Sequence, residues 1–194
     1  MLVQGTGMDA ARIPDIDRLH ERHEGLTPVV ANQFAEAAAV CFDRFHEPPV
    51  SVAVSQHREA TRLYAFDWIP PNSRQLSAWA NDDDATRDGA YGIVLALAET
   101  RLGLVAVARA PTGTGPDYLL GPPGSEVDSV DGELNFEKSI RLEVSGISRC
   151  DSEAMLSYRV SEKVRQDQRA DPDSPALAGV AAFNLRRVAF RRAI

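Results

Sequence analysis

From Asp84 onward the spacing of apolar residues changes from a helical step to alternation and back. That order of periods constrains the fold more than any other feature of the chain. Tyr91, Val94, Leu95, Ala98 and Leu102 recur at helical spacing. A helix therefore begins near Asp82 to Asp84, whose charges suit the positive end of its dipole, and stops at Gly103. Leu104 to Ala108 reads as a strand, Thr112-Gly113-Thr114-Gly115-Pro116 as a turn, and Asp117 to Gly121 as the returning strand. Residues 122–135 are a loop rich in Pro, Gly, Ser, Asp and Glu, and Ile140 to Ile147 alternates again. Asp151 or Ser152 caps a helix running to about Gln168, Asp171-Pro172-Asp173 breaks it, and Gly179 to Phe190 supplies one or two final strands. Helix, strand, strand, strand, helix, strand is the order of an α/β protein with a mixed central sheet and helices on both faces.

The upstream part extends this core. Thr27-Pro28 is a helix start, with Thr as cap and Pro in the first turn. Val30, Phe34, Ala37, Ala38, Cys41, Phe42 and Phe45 then form one apolar stripe that ends at His46, before Pro48-Pro49. Val50 to Ser55 alternates strictly, and Leu63 to Trp68 is expected as its antiparallel neighbour, closed by Pro70-Pro71-Asn72. Residues 1–25 show no sustained period and are expected to be a loose arm with one helical turn around Ile16 to Glu24, ordered by a partner. The expected organisation is that arm plus a single domain over residues 26–194, in keeping with a chain of 194 residues.

Composition narrows the function classes. A formal charge of −7 argues against a general nucleic-acid coat protein, which needs a broad basic surface. The basic residues do cluster at Arg186, Arg187, Arg191 and Arg192, and a solvated face is the ordinary explanation of such a run. No apolar stretch approaches the roughly 20 residues of a bilayer-spanning helix, and no basic-then-apolar export signal opens the chain. Cys41 and Cys150 have no paired spacing and are expected as free thiols in a reducing, cytoplasmic setting.

The chemistry-bearing residues are Pro116-Asp117-Tyr118 and, further along, Glu143-Val144-Ser145. Alternation sets Arg141, Glu143 and Ser145 on one face of their strand, with Leu142, Val144 and Ile147 mostly on the other. If the strand of Asp117 pairs beside it, two carboxylates converge at one sheet edge, where a hard divalent cation relieves their repulsion.

These motifs, in this element order, resemble the restriction-endonuclease-like superfamily, the PD-(D/E)XK nucleases, over roughly residues 84–194. The resemblance implies an αβββαβ core and Mg²⁺- or Mn²⁺-dependent cleavage of DNA phosphodiesters, in a prokaryotic defence setting. It further implies Asp117, Glu143 and the Val144 carbonyl as metal ligands, with Glu99 of the preceding helix as an auxiliary acid. The family's motif lysine is replaced by Ser145, whose hydroxyl carries no charge. Three explanations stand open. Lys163 of the following helix supplies the cation, with Lys138 less well placed. Arg141 supplies it from the same strand face. Or the site is catalytically silent. Arg141, Arg186, Arg187, Arg191 and Arg192 are the expected nucleic-acid contacts. The alternative function is a noncatalytic nuclease-fold subunit, of toxin–antitoxin or immunity type, that binds a protein partner. A homodimer and the absence of any membrane association complete the expected partners.

Weaker signals favour structural roles. His20-x-x-His23-Glu24 lacks a third ligand and is expected as a polar arm. The Thr112 to Gly115 turn lacks the lysine and helix of a phosphate-binding loop. His46 and His57 are expected at a helix end and a turn, and Trp68 and Trp79 as core or interface anchors.

Overall fold

The computed structural model describes residues 11–56, 59–125, 129–130, 133–134, 139–170 and 174–193. It is a mixed α/β fold built on an eight-stranded sheet. In chain order the elements are β1 (Ala11–Arg12), a 3₁₀ helix (Ile16–Glu21), α1 (Pro28–Asp43), β2 (Val50–Gln56), β3 (Arg62–Phe66), α2 (Ser73–Ala78), α3 (Asp82–Leu102), β4 (Val105–Arg109) and β5 (Tyr118–Gly121). There follow β6 (Ser129–Val130), β7 (Glu133–Leu134), β8 (Ile140–Ile147), α4 (Glu153–Ala170), β9 (Ala176–Ala182) and β10 (Arg187–Ala193). The sheet runs β1-β3-β2-β10-β9-β8-β5-β4, while β6 and β7 pair with each other.

From α3 onward the order is helix, hairpin, third strand, helix, fourth strand. β4 and β5 are antiparallel, β5 and β8 are antiparallel, and β8 and β9 are parallel, with α4 as the crossover. The N-terminal hairpin is no appendage: β2 pairs parallel with β10 and carries the sheet outward through β3. Alternation divides the strands between two helical layers. Leu142, Val144, Leu177, Ala181, Val188 and Phe190 face the main core with α1 and α3, whereas Ile147, Ala178, Val180 and Ala182 face Leu156 and Val160 of α4. The sequence pattern set Ile147 with Leu142 and Val144. Its odd position in β8 instead puts it on the α4 side with Glu143.

Local chemistry explains the helix ends. Thr27 Oγ1 accepts the Val30 N–H at 3.4 Å with Pro28 in the first turn, and the Asn81 side chain caps α3 ahead of its three aspartates. Gly103 closes α3 with φ +66°, the left-handed conformation that glycine adopts at little cost. Ser152 Oγ accepts the Met155 N–H at the start of α4. Cys41 and Cys150 are buried free thiols, and burial pushes the Cys41 thiol up to about 12.

Three expectations change. Residues 11–26 are not loose: Ile13, Ile16, Leu19 and His23 are buried, and β1 pairs parallel with β3. Helix α2 arises just after Pro70-Pro71-Asn72, where no element was expected, held by a capping box in which Asn72 and Gln75 exchange hydrogen bonds. Helix α1 ends at Asp43, slightly before His46, whose Nε2 lies 3.0 Å from the Phe183 carbonyl. Trp68 stacks on Phe66 and donates to Asp43, and Trp79 donates to Glu36, so both are anchors. His57 and the Asp171-Pro172-Asp173 break lie outside the described residues. Among the described residues no helix is long and apolar enough to cross a membrane.

Candidate functional site

The register of β5 against β8 pairs Tyr118 with Leu142, and the Asp117 N–H donates to the Leu142 carbonyl at 2.8 Å. Asp117 thus stands opposite Glu143, just before β5 begins and where β8 continues. Its carboxylate stays close to the plane of the sheet: Oδ2 accepts the Val144 N–H at 2.8 Å, and Oδ1 accepts the Tyr91 hydroxyl at 2.6 Å. Tyr91 comes from α3 and packs edge-on against Tyr118, with the Arg109 guanidinium 4.9 Å from both ring centres. Burial, reinforced by the hydrogen bond to Asp117, pushes the Tyr91 hydroxyl upward, so it stays protonated and remains a donor.

Glu143 leaves β8 on the other face. Its side chain is only 3% exposed, and Lys163 Nζ of α4 donates to its Oε2 at 3.0 Å. Burial pushes the Glu143 carboxyl up; the Lys163 ammonium opposes this, and the charge of Asp117 adds to it. Each carboxylate has its own helix: α3 holds Asp117 through Tyr91, and α4 holds Glu143 through Lys163. The expected convergence of the two side chains at one sheet edge is replaced by two acids held from different helices, opposite each other in register. Ser145 shares the Glu143 face by alternation and is half-buried, in register with Val180.

The structure joins Asp117 to Val144 and Lys163 to Glu143, with Asp117 and Glu143 opposite in register. Glu99 lies elsewhere, about 12 Å along the axis of α3 from Tyr91 at 1.5 Å per residue. There it binds Arg22 Nε at 2.7 Å and lies 3.2 Å from His23 Nε2. Arg141 is buried and donates to the Asp167 carboxylate at 2.8 Å, so it locks β8 to α4 rather than presenting a charge to a ligand. The tail arginines divide: Arg187 pairs with Glu153, Arg191 bonds to Ser161, Arg192 is exposed, and Arg186 occupies a tight turn at φ +53°. Lys138 lies outside the described residues. The Thr112 to Gly115 segment is a turn, with glycines at φ +89° and +100°.

Among the described residues no group of three or more His, Cys, Asp or Glu side chains gathers at one point. The donor set on offer to a cation is two carboxylates plus a carbonyl. Along β8, Leu142 bonds toward β5 and Arg141 toward Pro175 beside β9, so the Val144 carbonyl points with its N–H to the Asp117 side. These are hard oxygen donors, and they suit Mg²⁺ or Mn²⁺ rather than a soft metal.

Two residues escaped sequence reasoning. Tyr91 looked like one more residue of an apolar stripe, and nothing in periodicity reveals that its hydroxyl meets Asp117. His23 was assigned to a polar arm, yet it is wholly buried: its Nδ1 accepts the Ala106 N–H at 2.9 Å, which leaves the ring proton on Nε2, facing Glu99. A scan of the chain against protein families found no match, and searches of curated proteins and of solved structures likewise found none.

Proposed function

We propose that the chain is a metal-dependent nuclease acting on DNA phosphodiesters, with Asp117, Glu143 and the Val144 carbonyl as the residues that would hold Mg²⁺ or Mn²⁺. The observation that carries this reading is the ion pair between Glu143 and Lys163. A carboxylate with so little exposure is costly to ionise, and here the residue opposite it in register is a second acid, while a lysine from the next helix occupies the charge role vacated at Ser145. A divalent cation held by these residues would supply a water of lowered pKa and offset charge on the phosphodiester. Lys163 orients the attacking water and steadies the negative charge that develops, as a preorganised cation does in a poorly solvated site. Tyr91 and the Val144 N–H hold the Asp117 carboxylate in one orientation, which reduces the reorganisation needed to bind an ion.

Purified protein with Mn²⁺ is expected to nick plasmid DNA, and Lys163→Met to lower the rate at least about a hundredfold, the scale of losing one electrostatic stabiliser. Equal rates for wild type and Lys163→Met would remove that lysine from the chemistry. The double occupation of Asp117 by protein donors favours a second reading, a noncatalytic subunit in which the same contacts brace the sheet and a protein partner is the ligand. In that case divalent cations leave the melting temperature unchanged.

A further inference from the structure

The nuclease reading leaves open how an acidic protein would hold a phosphodiester chain. The tail cluster is a poor answer, because Arg187 and Arg191 are committed to α4. The outer face of α4 offers another surface. Arg159, Glu162, Lys163, Arg165, Gln166 and Arg169 line a single hollow on that helix. Four of the six are cations and one is an anion, in a chain with 28 acidic and 21 basic residues.

What sets these cations apart is that four of them line one hollow. Several arginines elsewhere are matched, Arg18 with Glu21, Arg22 with Glu99, Arg44 with Asp82 and Arg101 with Glu59, while the exposed Arg62 and Arg74, without an ion pair among the described residues, lie on different elements. Arg159, Arg165 and Arg169 are exposed and, among the described residues, make no ion pair or hydrogen bond. Acidic side chains are abundant, so three unmatched guanidinium groups on one hollow form a local positive field that would bind an external anion. The fourth cation, Lys163, reaches inward to Glu143 and joins this hollow to the candidate site.

Resting on the nuclease reading, we infer that the phosphates of the DNA backbone run along α4 over Arg159, Arg165 and Arg169 and are delivered to the Lys163–Glu143 pair. Arg159 to Arg169 spans about 15 Å of helix at 1.5 Å per residue, the length of roughly four nucleotides at 3.4 Å each along one strand. Guanidinium groups suit this role because their planar fork engages phosphate oxygens two at a time.

The test is fluorescence anisotropy with a labelled DNA duplex in EDTA, where no cleavage occurs, across a salt series. The triple variant Arg159→Gln/Arg165→Gln/Arg169→Gln is expected to bind about tenfold or more weakly, with the slope of log K against log salt reduced by roughly 2 to 3, since each phosphate contact contributes about 0.9. Arg62→Gln/Arg74→Gln, two exposed arginines on β3 and α2, is the control and is expected to bind within about twofold of wild type. A triple variant with wild-type affinity and slope overturns the inference, as does a protein that binds anionic phosphatidylglycerol vesicles but not DNA. Plasmid nicking is scored separately. DNA binding lost in the triple variant supports the track even if wild type never nicks, which would sink only the nuclease reading. Nicking by a triple variant with full affinity sinks only the track.

Discussion

Asp117 accepts the backbone N–H of Val144 at 2.8 Å, so a side-chain carboxylate stands where the ladder between β5 and β8 would otherwise offer a carbonyl. The contact has two consequences. It ties the entry of β5 to β8, which runs on toward α4, and it fixes one of the two acids of the candidate site. Because Asp117 also takes the Tyr91 hydroxyl, it ties α3 to the third strand of the core.

Asp117→Ala leaves a strand N–H and a tyrosine hydroxyl without their acceptor. It should destabilise the fold by about 1–3 kcal/mol, whereas Tyr91→Phe should cost about 1 kcal/mol. Urea denaturation monitored by far-ultraviolet circular dichroism gives both numbers. An Asp117→Ala midpoint equal to that of wild type would show that the carboxylate carries no structural role.

Glu143 should behave in the opposite sense. Burial raises its carboxyl above the ordinary range, so the folded state holds that proton more tightly than the unfolded chain. The resulting stability is present below the ordinary carboxylate pKa and is lost as pH rises through the raised one. Near neutral pH the ionised side chain therefore opposes folding. Glu143→Gln should match or exceed wild type in melting temperature at pH 7, and the gap should shrink as pH falls toward about 4. Lys163→Met at pH 7 should instead destabilise by about 1–3 kcal/mol by stranding the ionised carboxylate; the lysine is 20% exposed, so the cost falls below that of a fully buried pair. Melting curves of the three proteins over this pH range decide the matter.

How far the sequence disclosed this arrangement follows from the kind of signal each part carries. Helix α3 was legible because its period, the aspartates of its first turn and Gly103 agree, and β2 because its alternation is strict. Helix α2 was not, since none of its residues is buried and its only mark is the spacing of Asn72 and Gln75. The segment before α1 escaped for a related reason: Ile13, Ile16 and Leu19 are fixed by docking against α1 and α3, and short 3₁₀ structure leaves no period to read. At the site, Asp117 and Glu143 were legible as a spaced pair, and Lys163 because the helix after β8 had to pack over the sheet. Glu99 was misplaced because periodicity selects a face of α3 but cannot say which distant segment covers it. That segment is Arg22 and His23.

His23 gives the fold a second pH signature. Burial lowers its pKa from the ordinary 6.5, and Glu99 only partly counters this, so it stays neutral while accepting the Ala106 N–H. A depressed histidine stabilises above its ordinary pKa and loses that contribution as pH falls, because the unfolded chain gains the proton first. Urea midpoints of wild type should fall between about pH 7.5 and 5.5, and His23→Gln should show a shallower decline. Parallel declines in the two proteins would assign the effect to other groups.

Gly146 marks where α3 crosses β8 most closely. A β-carbon there would collide with the Thr86 backbone carbonyl, which a rotamer change cannot move. Gly146→Ala should therefore destabilise by about 2 kcal/mol or more, at the upper end of overpacking costs. Thermal unfolding measures it, and a shift within error would mean that the helix yields at this crossing.

Under the proposed function, Asp117 and Glu143 hold one divalent cation between them. A crystal soaked in Mn²⁺ and measured near the manganese absorption edge tests it directly. One anomalous peak is expected within about 2.5 Å of a carboxylate oxygen of each residue, the outer range of hard-cation coordination. Both carboxylates still bound only to Tyr91, Val144 and Lys163, with no peak between them at millimolar Mn²⁺, would contradict it.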